Sequence, residues 1–350
     1  MKIFLKQYIN GLMRDKENGF PAVFFKLLLF IVSVPYAFFI RIHDFLYKTK
    51  MLKIHDAGIP VISVGNITLG GTGKTPFVLM LARHLSHAGK KCAILIRGYG
   101  EDEWKMLESS LRSKEAHVFV GRDRVKSAEK AKQEGKDIII LDDGFQHRRL
   151  KRDLDIVLVD SSEPFGNRRS FPRGILREGL WALKRADIIS LTKIDKGKKN
   201  VKSIKSEIQK IAPGKPVLET LHRTVNFTEL KSEKPLALSA IAGKSAHLVC
   251  AICDPSYFEY SVLSLGAQIT GKSVFPDHYD YSEADVSDIF KICREKGADT
   301  IITTEKDAVK ILPILKNAAP DLKILVLNIE LEITQGKELL YAGLDSHKLN

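Results

Sequence analysis

Residues 61–76 read VISVGNITLGGTGKTP, and no other stretch restricts the fold as much. A β-type apolar run enters a glycine-rich loop. Gly73-Lys74-Thr75 follows, and then a helical pattern from Pro76 to Ala88 that Gly89 closes. A strand, loop and helix in this order make a phosphate cradle: backbone amides curl around phosphate oxygens and the helix adds its positive amino-terminal dipole. Gly70, Gly71, Thr72, Gly73, Lys74 and Thr75 are the expected nucleotide contacts, with Lys74 reaching the β- and γ-phosphates and the Thr75 hydroxyl ligating Mg²⁺. The strict pattern has glycine five residues before Gly73. Here Thr68 stands there, and Gly70 and Gly71 supply the freedom instead.

The cradle lies within an alternation of short apolar runs and helical patterns. VISV (61–64), CAILI (92–96), HVFV (117–120), DIIIL (137–141), DIVLV (155–159) and DIISL (187–191) are near-continuous in Ile, Val and Leu. Such runs suit strands of a parallel sheet covered on both faces. Helices are expected over 76–88 and 124–134, each ended by glycine. PLALSA (235–240), HLVCAIC (247–253), AQITGKSVF (267–275), DTIITT (299–304) and KILVLNI (323–329) form a second set, with helices near 283–296 and 306–317. The expected fold is α/β. It has a P-loop NTPase-type, doubly wound, mostly parallel sheet, a second and smaller α/β domain, and an amino-terminal hydrophobic helix.

Charge sharpens the division. The formal net charge of +13 comes from 55 Lys and Arg against 42 Asp and Glu. Residues 161–210 carry +8 and residues 211–350 carry −4. A basic excess points to an anionic partner. No platform of interleaved aromatic and basic residues is present, so nucleic acid is not expected. Cys92, Cys250, Cys253 and Cys293 are too few for a disulfide framework. Cys250 and Cys253 sit in an apolar run and are expected to be buried thiols. The lysine-rich stretch 193–210 is expected to be a solvated helix face or loop.

At the amino terminus, 20–46 reads FPAVFFKLLLFIVSVPYAFFIRIHDFL. Its uncharged core, Leu27 to Ile40, is 14 residues, against the roughly 20 that a spanning helix needs. Pro35 is expected to kink it. Basic residues flank both sides, as in an interfacial helix lying among lipid headgroups. A single span and a buried hairpin are the alternatives.

Asp142 and Asp143 end the DIIIL run, at the carboxyl edge where open α/β sheets bind ligands. They are candidate Mg²⁺ ligands beside the P-loop. Arg168, Arg169, Arg173 and Arg177 form the densest arginine cluster, suited to bidentate phosphate binding. Thr192-Lys193-Ile194-Asp195 resembles the guanine-reading motif of GTPases without its asparagine, which keeps a P-loop GTPase or metallochaperone-type regulator as an alternative. Asp123 directly precedes a helical run and is a natural N-cap.

Taken together, GNITLGGTGKTP, RGYG (97–100), LDDGFQHRRLKRDLDIVLVD, FPRGILRE, LKRADIISLTK, FPDHYDYS and TTEKDAVK resemble the tetraacyldisaccharide 4′-kinase family. The resemblance implies ATP-dependent phosphorylation of the 4′-hydroxyl of a lipid A disaccharide 1-phosphate, with ATP and Mg²⁺. It implies a monomer on the cytoplasmic face of the bacterial inner membrane, peripheral or monotopic, touching its anionic surface. By motif it implies nucleotide roles for Gln146 and His147, a metal role for Glu178 beside Thr75, Asp142 and Asp143, and a catalytic pair of Asp123 and His278. The arginine cluster would meet the substrate phosphate. The implied domains are 1–55 (membrane-associating), 56–215 (P-loop kinase) and 216–350 (smaller α/β), with hinge strands near 216–232 and 323–334. Thr304, Lys306 and Asp307 are further candidates to line the cleft. One departure stands out: RGYG runs straight into EDEWKMLE (101–108), with Trp104 where the family has proline, so substrate contacts from that loop are not carried over.

Overall fold

The computed structural model describes residues 2–98, 101–111, 116–315, 322–347 and Leu349. Tyr99 and Gly100 of the RGYG motif lie outside the described residues. The chain divides into two compact units: 1–97 with 111–221 and 333–350, and 98–110 with 222–332.

The first unit is built on β1 (Val61–Asn66), β2 (Cys92–Ile96), β3 (Ala116–Val120), β4 (Ile138–Asp142), β5 (Leu154–Asp160) and β6 (Ile188–Thr192). The start of β7 (Val217–Glu229) joins them. All pair in parallel in the order β7-β6-β5-β1-β4-β2-β3. β1, β2, β4 and β6 are buried along their whole length, as continuous apolar runs require when both sheet faces are covered. Helices α3 (Lys74–His87), α5 (Arg124–Gln133) and α6 (Val201–Ile211) alternate with these strands. The lysine-rich stretch is therefore a helix from Val201 onward, burying Ile204 and Ile208 and turning its lysines outward.

Two helices precede the sheet: α1 (Lys2–Met13) and α2 (Phe20–Lys48). α2 runs on through Pro35. At 29 residues it is long and apolar enough to cross a membrane by length and composition. Its pattern is inverted relative to a soluble helix. Ala22, Ser33, Asp44 and Tyr47 face inward, spaced by whole turns, while Phe24, Leu27, Ile31, Phe38 and Phe45 are exposed. The inward face docks by polar contacts. Asp44 holds Arg148 at 2.6 Å, and the Tyr36 hydroxyl donates to the Arg177 carbonyl at 3.0 Å.

The second unit has β9 (Ser245–Cys250), β10 (Gln268–Val274), β11 (Thr300–Thr304) and β12 (Lys323–Gln335), parallel in the order β10-β9-β11-β12. Helices α7 (Pro255–Ser264), α8 (Glu283–Glu295) and α9 (Glu305–Ile314) complete it, with α4 (Glu101–Ser110) packing on α9. The run 235–240, expected as a full strand, pairs only at β8 (Pro235–Leu236) and turns into a 3₁₀ helix at Leu238. Cys253 also differs from expectation. β9 ends at Cys250, so Cys253 falls in the following loop and is exposed, while the other three cysteines are buried. β7 and β12 are the strands by which the chain passes from one unit to the other, and α10 (Lys337–Ser346) then returns to the first.

Candidate active site

Gly73 is the N-cap of α3 and takes φ 83°, a left-handed conformation that strongly favours glycine. No side chain caps the helix, so the amides at its start are left to a ligand's oxygens. Lys74 and Thr75 form the first turn. The Asn66 amide donates to the Thr72 hydroxyl at 2.9 Å, tying the end of β1 to the loop. A second segment braces the cradle: Leu69 N donates to the Ile175 carbonyl at 2.7 Å and Arg177 N to the Ile67 carbonyl at 2.8 Å.

β4 lies beside β1 with Asp142 opposite Val64, which brings the acid pair to the loop. Asp142 is buried and accepts from Asp143 N at 2.8 Å. The Asp143 carboxylate receives Arg177 at 2.9 Å on each oxygen, and Lys74 Nζ stands 3.4 Å away. Burial alone would raise its pKa. Lys74, Arg177 and Arg124 outweigh that and hold it at about 2, so Asp143 is anionic at neutral pH.

Glu178 is buried and held by Arg185 at 2.7 and 3.0 Å. Gln146 bridges its carboxylate to the Asn66 carbonyl at 3.1 and 2.9 Å. Burial, followed by the charges of Arg124, Arg149 and Arg152, lowers the His147 pKa to about 4. The imidazole is neutral at pH 7, and its buried Nε2 has no partner among the described residues. A buried ring nitrogen left so is a position for a ligand to complete. Among the described residues no three His, Cys, Asp or Glu side chains form a ready-made metal cage. Mg²⁺ needs only one or two carboxylates beside phosphate and water. The oxygen donors Thr75, Asp142, Asp143 and Glu178 therefore fit an Mg²⁺ that binds with a nucleotide.

The four clustered arginines have separate partners. Arg168 pairs with Glu207 at 2.7 Å, Arg169 lies over the Phe30 ring at 5.4 Å, and Arg173 pairs with Asp15 at 2.7 Å. Of the four, Arg177 is the one bound to the acid pair. Arg168 and Arg177 also line a cleft of about 320 Å³, with Tyr36, Arg41, Glu178 and Trp181. One wall of that cleft is α2. Arg41 and Arg185 escaped sequence reasoning, because neither stands in the arginine cluster; the position of Arg185 seven residues after Glu178 was the available signal.

Residues 25–346 match the family model described as tetraacyldisaccharide-1-P 4′-kinase. The chain belongs to that family. A tetraacyldisaccharide 4′-kinase from Syntrophus aciditrophicus is 33% identical over 353 residues, covering 93% of this chain and 94% of the relative. One from Halothermothrix orenii is 33% identical, covering 95% and 96%. A solved structure of LpxK from Aquifex aeolicus in complex with ATP is similar at a TM-score of 0.69 and 27% identity, covering 92% of this chain and 99% of that one.

Within this tetraacyldisaccharide 4′-kinase frame, the GTPase-like motif has another use. Lys193 is buried and donates to Asp160 at 2.6 Å, joining the ends of β5 and β6. That pairing occupies the lysine that a guanine site would lay along its base. In the second unit, His278 takes φ 63° with Nε2 3.5 Å from Asp277, whose carboxylate also receives Lys306 at 2.9 Å and the Cys253 thiol at 2.6 Å. Thr304 caps α9 and donates to the buried Asp307 at 2.7 Å.

Asp123 lies in the first unit as the N-cap of α5, accepting from Val125 N at 3.1 Å. Capping accounts for one of its carboxylate oxygens. Asp123→Ala is expected to lower Tm by a few degrees. Asp123→Asn keeps a capping oxygen but cannot take up a proton, so Tm should hold while kcat falls about 10²-fold. Unchanged transfer in Asp123→Asn would leave Asp123 a cap alone.

Proposed function

We propose that this chain transfers the γ-phosphoryl group of ATP to the 4′-hydroxyl of a tetraacyldisaccharide 1-phosphate at the cytoplasmic face of the bacterial inner membrane. The carrying observation is the Lys74–Asp143–Arg177 cluster, seated between the phosphate loop and a cleft walled by the apolar helix α2. A nucleotide on the loop and a lipid headgroup in the cleft would share this cluster.

Phosphoryl transfer depends mostly on positioning and on neutralising the equatorial oxygens. Lys74 and the α3 amides hold the β- and γ-phosphates, and the Arg177 backbone is fixed by Tyr36 of α2. Bound Mg²⁺, held by Thr75 and the acid pair, would neutralise phosphate charge. Gln146 and His147 complete the nucleotide side, and Arg168 and Arg41 face the anionic headgroup. The exposed stripe of α2 rests in the interfacial layer, which keeps the acceptor's acyl chains in the bilayer.

The direct test is ³²P transfer from ATP to a tetraacyldisaccharide 1-phosphate in mixed micelles, with GTP as the competing donor. Label in the lipid from ATP supports the reading. GTP hydrolysis without lipid labelling overturns it.

A further inference from the structure

We infer that Arg14, from the segment ahead of the family match, is an additional phosphate-contacting residue: an arginine supplied to the P-loop from the amino-terminal helices. This rests on the kinase reading above and extends it.

The family match begins at residue 25, so α1 and its following turn lie outside it. That turn is firmly placed. Leu12 and Met13 are buried, and Arg14 N and Lys16 N both donate to the Gly11 carbonyl, at 3.2 and 2.9 Å. Asp15 takes φ 56°, and its carboxylate receives Arg173 at 2.7 Å, Lys26 at 2.9 Å and Asn167 at 3.0 Å. Burial opposes ionisation of Asp15, but these three donors hold its pKa at about 2. The anchor is thus charged throughout the physiological range and fixes the turn to the loop that carries the arginine cluster.

With the turn so fixed, Arg14 is delivered to the phosphate loop. Its Nε donates to Asn10 at 3.0 Å and its Nη1 pairs with Glu163 in the loop after β5. The other terminal nitrogen, Nη2, lies against Gly70: a Cβ built on that glycine would sit 3.6 Å from it. Gly70 takes φ 125° and stands three residues before Gly73, in the stretch whose backbone cradles the β- and γ-phosphates. A guanidinium against this loop reaches the terminal phosphate by rotating its last torsions. A terminal phosphate, with more charge and paired oxygens, competes well with the carboxylate of Glu163. Arginines supplied in cis in this manner stabilise the charge on a phosphoryl group in transfer. Because α1 packs on α2, the helix with the exposed apolar stripe, the same segment that meets the bilayer carries this arginine.

The test compares wild type, Arg14→Ala and Arg14→Lys in the full chain. Arg14→Ala is expected to lower kcat by about 10²-fold, with Tm and sedimentation with anionic vesicles unchanged. Arg14→Lys should recover only a small part, and guanidinium ion added to Arg14→Ala should restore part of the lost rate while leaving wild type unaffected. Equal kcat in wild type and Arg14→Ala overturns the inference, as does a loss that guanidinium fails to rescue. An acceptor-free readout separates this from failure of the kinase reading: wild type should bind ATP more tightly than ADP, and Arg14→Ala should lose that preference. An unchanged ATP-to-ADP ratio overturns the inference whether or not the lipid is phosphorylated.

Discussion

Lys74→Ala will lower ATP-dependent labelling of the disaccharide lipid by about 10³-fold, the scale on which preorganised cations act on a transferring phosphoryl group. Two effects combine. The cation that reaches the β- and γ-phosphates is lost, and Asp143, 3.4 Å from Lys74, loses one of the charges that keep it ionised. Arg177 Nη1 still meets both oxygens of Asp143, so the fold around the acid pair should persist and Tm should change little. Initial rates at saturating ATP and lipid, with vesicle sedimentation as a control, check this. A variant that keeps a tenth of the wild-type rate would remove Lys74 from the transfer step.

The second large effect is expected on the membrane side. Replacing Phe24, Leu27, Ile31 and Phe38 together with serine removes four exposed apolar side chains from one stripe of α2. At roughly 1 kcal/mol each for partial insertion, binding to vesicles should weaken by about 10³-fold. The inward contacts of Ser33, Asp44 and Tyr47 are untouched, so the protein should stay folded. Co-sedimentation with vesicles of mixed zwitterionic and anionic lipid reads the result. ATP binding should be unaltered, and transfer to a short-chain, micelle-free acceptor should largely survive. Persistent pelleting of the quadruple variant would place membrane attachment elsewhere on the chain.

Much of the fold was legible because continuous apolar runs between polar or glycine punctuation leave few alternatives. CAILI became β2 at both of its ends, and the other five runs of the first sheet shifted by a residue or two. The run 235–240 failed because Pro235 donates no hydrogen bond and the residues after Leu236 close into a 3₁₀ helix. α4 was missed because a charged stretch following a motif directly looks like loop; it becomes a helix where α9 gives it a surface. In the site, residue types with short reach were easiest to read. Lys74, Thr75, Asp142 and Asp143 are placed by the strands and helix that carry them. The arginines were harder. Their side chains span several ångströms, and sequence does not tell that Arg173 will meet Asp15 across 158 positions, or that Arg185 will brace Glu178. Asp123 shows the same limit from the other side, since one carboxylate can cap a helix or take a proton and the sequence around it is the same.

The last helix has a consequence for biosynthesis. α10 packs into the first unit, with the Tyr341 ring 4.6 Å from His84 of α3 and Gly343 set against Ile188 of β6. During translation the apolar helix α2 and the phosphate loop emerge well before the piece that closes over α3. The nucleotide unit is therefore finished only after α10 has been made, well after α2 is available. Contacts this distant in sequence form slowly and leave apolar surface open meanwhile. Seating on lipid, as proposed above, would give the most exposed of that surface, the α2 stripe, somewhere to go.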